Sequence, residues 1–187
     1  MATGLVRQAL GAHQLPPGQV LIGLSLFLTI LVMSPTWEKI NRDALGPYLS
    51  GAPGVTQRQA LKIAAGHLRD FMYQQISQAG NDADILMFLE YCRGRPVRPD
   101  ETIRVGDVPL RVMIPAFILS ELKTAFVMGF RIYLPFLVID MVIASILISM
   151  GMLMLPPVLI SLPFKLLLFV LADGWNLVVR SVVESFY

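Results

Sequence analysis

The chain has 187 residues, of which 55% are hydrophobic and only 15% charged, and its net charge is +2. Soluble domains carry about a quarter charged residues, and so small a net charge gives no basis for nucleic-acid binding. One cysteine, Cys92, excludes an intrachain disulfide, and His13 and His67 stand far apart with no ligand spacing around them, which argues against a metal site.

Residues 1 to 17 are mildly amphipathic and end in Pro16-Pro17; they hold no apolar run of the length a secretory signal needs. Gly18 to Met33, GQVLIGLSLFLTILVM, carries no charge and is expected to stop at Ser34-Pro35. As a helix it spans about 24 Å, slightly short of a ~30 Å hydrocarbon core. It reads as a transmembrane helix lengthened by its flanks, or as a helix buried in a larger assembly.

Pro35 to Arg111 is polar and holds 10 of the 15 Lys/Arg and 9 of the 13 Asp/Glu, so it is nearly neutral and gives no orientation by the positive-inside rule. A helical exit, TWEKINRDALGPYL, is expected to break at Gly46-Pro47 and again at Gly51 to Gly54. Thr56 with Gln59 matches a capping box, and Leu61, Ala64, Leu68, Phe71, Met72 and Ile76 follow at helical spacing. A shorter helix is predicted from about Ala83 to Cys92 behind Asn81 and Asp82, and Arg93 to Arg111 reads as loop. A core this small leans on neighbours.

Val112 to Tyr187 is again apolar. Its first helix, MIPAFILSELKTAFVMGFR, is expected to hold Pro115 in its first turn, and Glu121 and Lys123 point to different faces. A second predicted helix runs from Ile132 to Leu155 with Asp140 at its centre. Pro156-Pro157 reverses the chain, and Val158 to Val179 carries Pro163, Lys165 and Asp173.

An unpaired charge in hydrocarbon costs several kcal/mol, so Asp140 and Lys165 need partners. With the turn placed at Pro156, the two are offset by about seven residues, roughly 10 Å along the axes. They are therefore expected not to pair within one hairpin but to meet charges of neighbouring copies, with Glu121 a candidate partner for Lys165. The alternative is that Lys165 snorkels to an interface and Asp140 is protonated. Met150, Met152 and Met154 at the turn read either as a soft seal between copies or as ordinary apolar filler. Ser25, Ser120, Ser145 and Ser161 lie in apolar runs without a histidine nearby, so interhelical hydrogen bonding is their expected role. Nothing forms a catalytic set, and the chain reads as a non-enzyme that takes no cofactor.

The run from Ser120 to Trp175, SELKTAF through VLADGW, and the upstream stretch RQALGAHQLPPGQVLIGLSLFLTILVMSP resemble the FliP family, export-gate proteins of the flagellar type III secretion system. The injectisome SctR proteins are its sister family, and SELKTAF and VLADGW favour the flagellar branch. The resemblance implies an all-α fold of membrane-type helical hairpins with a small helical periplasmic insert. Several copies are expected to assemble into a helical oligomeric pore with FliQ-like and FliR-like subunits and other export-apparatus membrane proteins. The place implied is the bacterial inner membrane at the flagellar basal body, and the cargo is unfolded flagellar protein. The implied organisation is an N-terminal segment and apolar helix over 1–34, a polar periplasmic domain over 35–111 and apolar hairpin helices over 112–187. The resemblance also implies a pore gasket at Met150, Met152, Leu153 and Met154, with Leu153 in place of a methionine, and inter-subunit charges at Glu121, Asp140 and Lys165. Family members carry a cleaved signal peptide and one more apolar helix ahead of the RQALG stretch, so the sequence is expected to be shortened at its start. Without the resemblance, the competing function is an ion or small-solute channel or transporter subunit whose path is lined by Asp140 and Lys165.

Overall fold

The computed structural model describes residues 17–51, 54–98, 101, 103–152 and 155–186. Residues 1–16 of the expected amphipathic segment over 1–17, with His13 and the RQALG stretch, lie outside the described residues. Among those described, every regular element is helical.

The first helix, α1 (Gly18–Ile40), runs through Pro35 and does not stop there. A proline in a helix interior frees the carbonyl four residues before it. Here that carbonyl belongs to Leu31, and the Ser34 hydroxyl donates to it at 2.9 Å. The neighbouring serine thus repairs the gap the proline opens. A π-helical turn (Asn41–Leu45) follows directly and leads into α2 (Gly46–Leu49). The Gly46 N–H reaches back to the Asn41 carbonyl, and a Cβ at Gly46 would stand 2.9 Å from that oxygen. Glycine is what permits the wide turn. The expected break at Gly46-Pro47 is therefore a widening, and the helix continues from Gly18 to Leu49. Gly51, at positive φ with its N–H on the Tyr48 carbonyl, lies just past the helix end.

Helix α3 (Gln57–Gln78) begins as its sequence indicates. Thr56 and Gln59 form the full capping box, with the Thr56 N–H donating to Gln59 Oε1 at 2.8 Å. Helix α4 (Asp82–Arg93) stops at Gly94 in the left-handed region. A 3₁₀ turn (Val105–Asp107) precedes α5 (Leu110–Ser149), a single helix where two were expected. Its 40 residues measure about 60 Å, twice a hydrocarbon core. Pro115 falls in its second turn, not its first, because the helix starts at Leu110. Helix α6 (Pro157–Leu171) has Pro157 at its first position, and α7 (Gly174–Glu184) departs from it at 62°.

The described residues form two compact units, Thr29–Leu122 and a second made of the chain up to Leu28 and from Lys123 onward. In the first unit, Ile76, Ile85 and Leu89 from α3 and α4 pack on Val112, Met113 and Ala116 of α5. Asn81 Nδ2 donates to the buried Ser120 Oγ at 2.9 Å. The opening turns of α5 are thus part of the polar unit's own core, which explains a helix far longer than a bilayer needs. A smaller cluster joins Ile40 and Ala44 to Ala60. In the second unit, Phe136, Phe169 and Val178 form the buried core.

Gly18–Leu49 and Leu110–Ser149 are long and apolar enough to cross a membrane, and the bent α6–α7 pair makes a third if it counts as one broken span. Phe27, Ile30, Phe126, Phe130, Met141, Leu167 and Val170 are all exposed. So much uncovered apolar surface is suited to lipid or to other protein, not to water.

Candidate functional site

The hairpin of α5 and α6 carries the candidate site, and its register is set by how α5 ends. The Met152 N–H bonds to the Leu147 carbonyl at 2.9 Å and the Gly151 N–H to the Ile148 carbonyl at 3.0 Å. With Gly151 at φ 76°, this is a Schellman motif, which closes a helix by satisfying its last carbonyls. The turn therefore begins at the glycine. The connection between the helices covers residues 150 to 156 and is centred at 153, with Pro157 already inside α6.

That centre corrects the expected offset. Reflection about 153 places Asp140 opposite 166, one residue from Lys165. The two pair within the chain, with Lys165 Nζ 2.6 Å from Asp140 Oδ2. The expectation that they could not pair in one hairpin fails because Pro156 ends the turn and is not its midpoint. Lys165 also does not snorkel: its side chain is 3% exposed, against 26% for Asp140. The second carboxylate oxygen, Oδ1, accepts a short hydrogen bond from Ser161 Oγ. Ser161 and Lys165 stand one turn apart on α6, so both reach the same carboxylate.

The remaining candidate residues are not gathered here. Glu121 is half-buried in the polar unit, whereas Asp140 and Lys165 belong to the second unit. Lys165 already has an acid in its own chain, so its charge does not require Glu121 of a neighbouring copy. Met150 and Met152 are 67% and 40% exposed at the turn. Leu153 and Met154 lie outside the described residues. Ser120 accepts from Asn81, which lies in the turn between α3 and α4 and not in a helix, and Ser25 and Ser145 donate to carbonyls of their own helices, Leu21 and Met141, at 2.8 Å.

Two features go beyond what the sequence pattern suggests. Ser161 reads in the sequence as one of several serines in apolar runs; its position four residues before Lys165 is the signal that singles it out. The bend after α6 is the other. Asp173 adopts a left-handed conformation at φ 48°, and a Cβ on Gly174 would lie 2.3 Å from the Phe169 ring. Trp175 then meets Phe169 edge-on, with centroids 5.6 Å apart and planes at 86°. The ADGW run is thus the sequence of a tight bend held by two aromatic rings. Among the described residues, no three His, Cys, Asp or Glu side chains gather as a metal site would require.

Comparison with known proteins bears on the whole chain. The FliP family matches residues 1–182. The chain belongs to the FliP family. The flagellar biosynthetic protein FliP of Bacillus subtilis (strain 168) is 48% identical over 181 residues, which cover 97% of this chain and 77% of that protein. Its counterpart in Aquifex aeolicus (strain VF5) is 48% identical over 182 residues, covering 97% and 72%. The FliP of Cereibacter sphaeroides is also 48% identical, over 184 residues that cover 98% of this chain and 57% of the relative. Membership in the FliP family agrees with an all-helical chain that carries long apolar helices.

Proposed function

We propose that this chain is a core pore-forming subunit of the flagellar protein-export gate. In this reading several copies assemble with FliQ-like and FliR-like subunits in the bacterial inner membrane at the flagellar basal body. Unfolded flagellar proteins pass through the pore, and the polar unit faces the periplasm. The observation that carries the reading is the hairpin: a charge pair neutralised within the chain, leading to a turn that leaves Met150 and Met152 uncovered. The family and its flagellar relatives supply the context.

The hairpin suits a subunit that packs on others. An unpaired ion in an apolar helix invites a water-filled path, whereas a paired and hydrogen-bonded one lets the remaining hairpin surface be apolar. This favours export gate over small-solute transporter, because Asp140 and Lys165 spend their charges on each other. Methionine side chains are flexible and polarizable, so Met150, Met152 and Met154, with Leu153, form a deformable gasket when copies converge. Glu121 is left as the charged candidate for contacts between copies.

The test is co-expression of the chain with the FliQ-like and FliR-like proteins of the same genome, followed by native mass spectrometry of the detergent-purified product. A defined hetero-oligomer is expected. A product that stays monomeric or contains this chain alone overturns the export-gate reading.

A further inference from the structure

We infer that Ser161 is a positioning residue for the Asp140–Lys165 pair, acting through the carboxylate and not through packing. Its link to export rests on the reading above; its geometry does not. Three observations carry it.

Ser161 is fully buried, at 0% exposure, and its hydroxyl reaches across the hairpin to Asp140 Oδ1. Other serines on the apolar spans have a carbonyl of their own helix as acceptor. Ser25, Ser145 and Ser149 each donate to the carbonyl four residues back in their own helix. Ser161 also has an acceptor on its own helix, the Val158 carbonyl at 3.2 Å, but Asp140 is nearer. A hydroxyl has one hydrogen, and a charged acceptor holds it more strongly than a neutral one.

A carboxylate gripped at one oxygen can rotate about its terminal torsion, which is broad and roughly two-fold. Gripped at both, it cannot. Lys165 holds Oδ2 and Ser161 holds Oδ1, so the pair has one orientation instead of several. Because both donors come from one face of α6, they also fix the rotation of α6 about its axis against α5. The hydroxyl is therefore part of what sets the hairpin register.

A purely structural role predicts something different. A small residue at a helix contact helps by its size, and alanine would serve as well. The two roles separate in a double-mutant cycle on the full chain in detergent. Ser161→Ala is made in the native background and in one where Asp140→Leu and Lys165→Met replace the pair with apolar groups. The folded-to-unfolded ratio is read by denaturant titration. In the native background the expected loss is about tenfold, the scale of a lost hydrogen bond to a charged group. In the apolar background no loss is expected, since the serine then turns back to Val158. An equal loss in both backgrounds, or no loss in the native one, overturns the assignment. The cycle is read on this chain alone, so it can fail while the export-gate reading stands, and the reverse.

Discussion

Lys165→Ala is the most direct perturbation of the hairpin. It removes the ammonium 2.6 Å from Asp140 and leaves the carboxylate with the Ser161 hydroxyl as its remaining described partner. Breaking a buried pair from one side costs about 3–5 kcal/mol, because a charge is stranded away from water. Asp140 keeps some exposure, so the lower end applies: about 3 kcal/mol, or roughly a hundredfold in the folding equilibrium. Replacing both residues, Asp140→Leu with Lys165→Met, is expected to cost little or even to stabilise, since no charge is left to strand. Trp175 reports on this region, because it meets Phe169 edge-on, one turn beyond Lys165. The chain has two tryptophans, so Trp37→Phe leaves Trp175 as the sole tryptophan, which can be excited selectively over the tyrosines in a denaturant titration in detergent. A double variant as unstable as the single one refutes the charge argument. A complementation experiment separates pairing within the chain from pairing between copies. Asp140→Lys and Lys165→Asp placed in one chain should restore assembly, whereas the same changes on two co-expressed chains should not. Restoration from separate chains would mean the pair forms between subunits.

Gly174→Ala forces a methyl group into the Phe169 ring and should destabilise the chain by about 1–3 kcal/mol, with loss of the near-UV circular dichroism of Trp175; an unchanged spectrum removes the tight-bend account. The Arg93 guanidinium, with Arg95 beside it, holds the Glu101 carboxyl below its usual range. A depressed carboxylate stabilises above its ordinary value of about 4.3 and loses that contribution as pH falls through the lowered one. Proteolysis in the sequence around Glu101 should therefore rise only at pH below about 4, and Glu101→Gln should remove that dependence. Replacing Met150, Met152 and Met154 with Ala should leave assembly intact but raise ion leakage through reconstituted gates, and an unchanged leak removes the gasket role.

Much of the architecture is legible in the sequence because it depends on local pattern. The α3 capping box, the presence of long apolar helices and a reversal before Pro157 each follow from a few adjacent residues, although only the capping box falls on the residues the sequence gives it. Features that depend on a remote or rotameric choice are not. Pro35 reads as a stop, yet a Ser34 hydroxyl turned toward Leu31 is enough to carry the helix through. A helix ending near Arg131 and another starting at Ile132 are expected, yet α5 continues through both. The hairpin register is misread for a narrower reason. Pro156-Pro157 is the loudest signal at the turn, whereas Gly151 is the residue that closes the helix. A shift of the turn centre from 156 to 153 moves the pairing partner by twice that distance. That shift separates two stranded charges from a closed pair. Ser161 can be recognised only once the register is right.

The pairing within one chain has a consequence for biogenesis. A hairpin whose acid and base cancel each other needs no neighbour to become tolerable in hydrocarbon. In the membrane location proposed above, it can enter the bilayer as a closed, neutral unit. The electrostatic cost is then met when the two helices fold together, before any second copy arrives. In the gate proposed above, contacts between copies are then free to be reversible and apolar, and a newly made chain need not be synthesised beside other copies to survive.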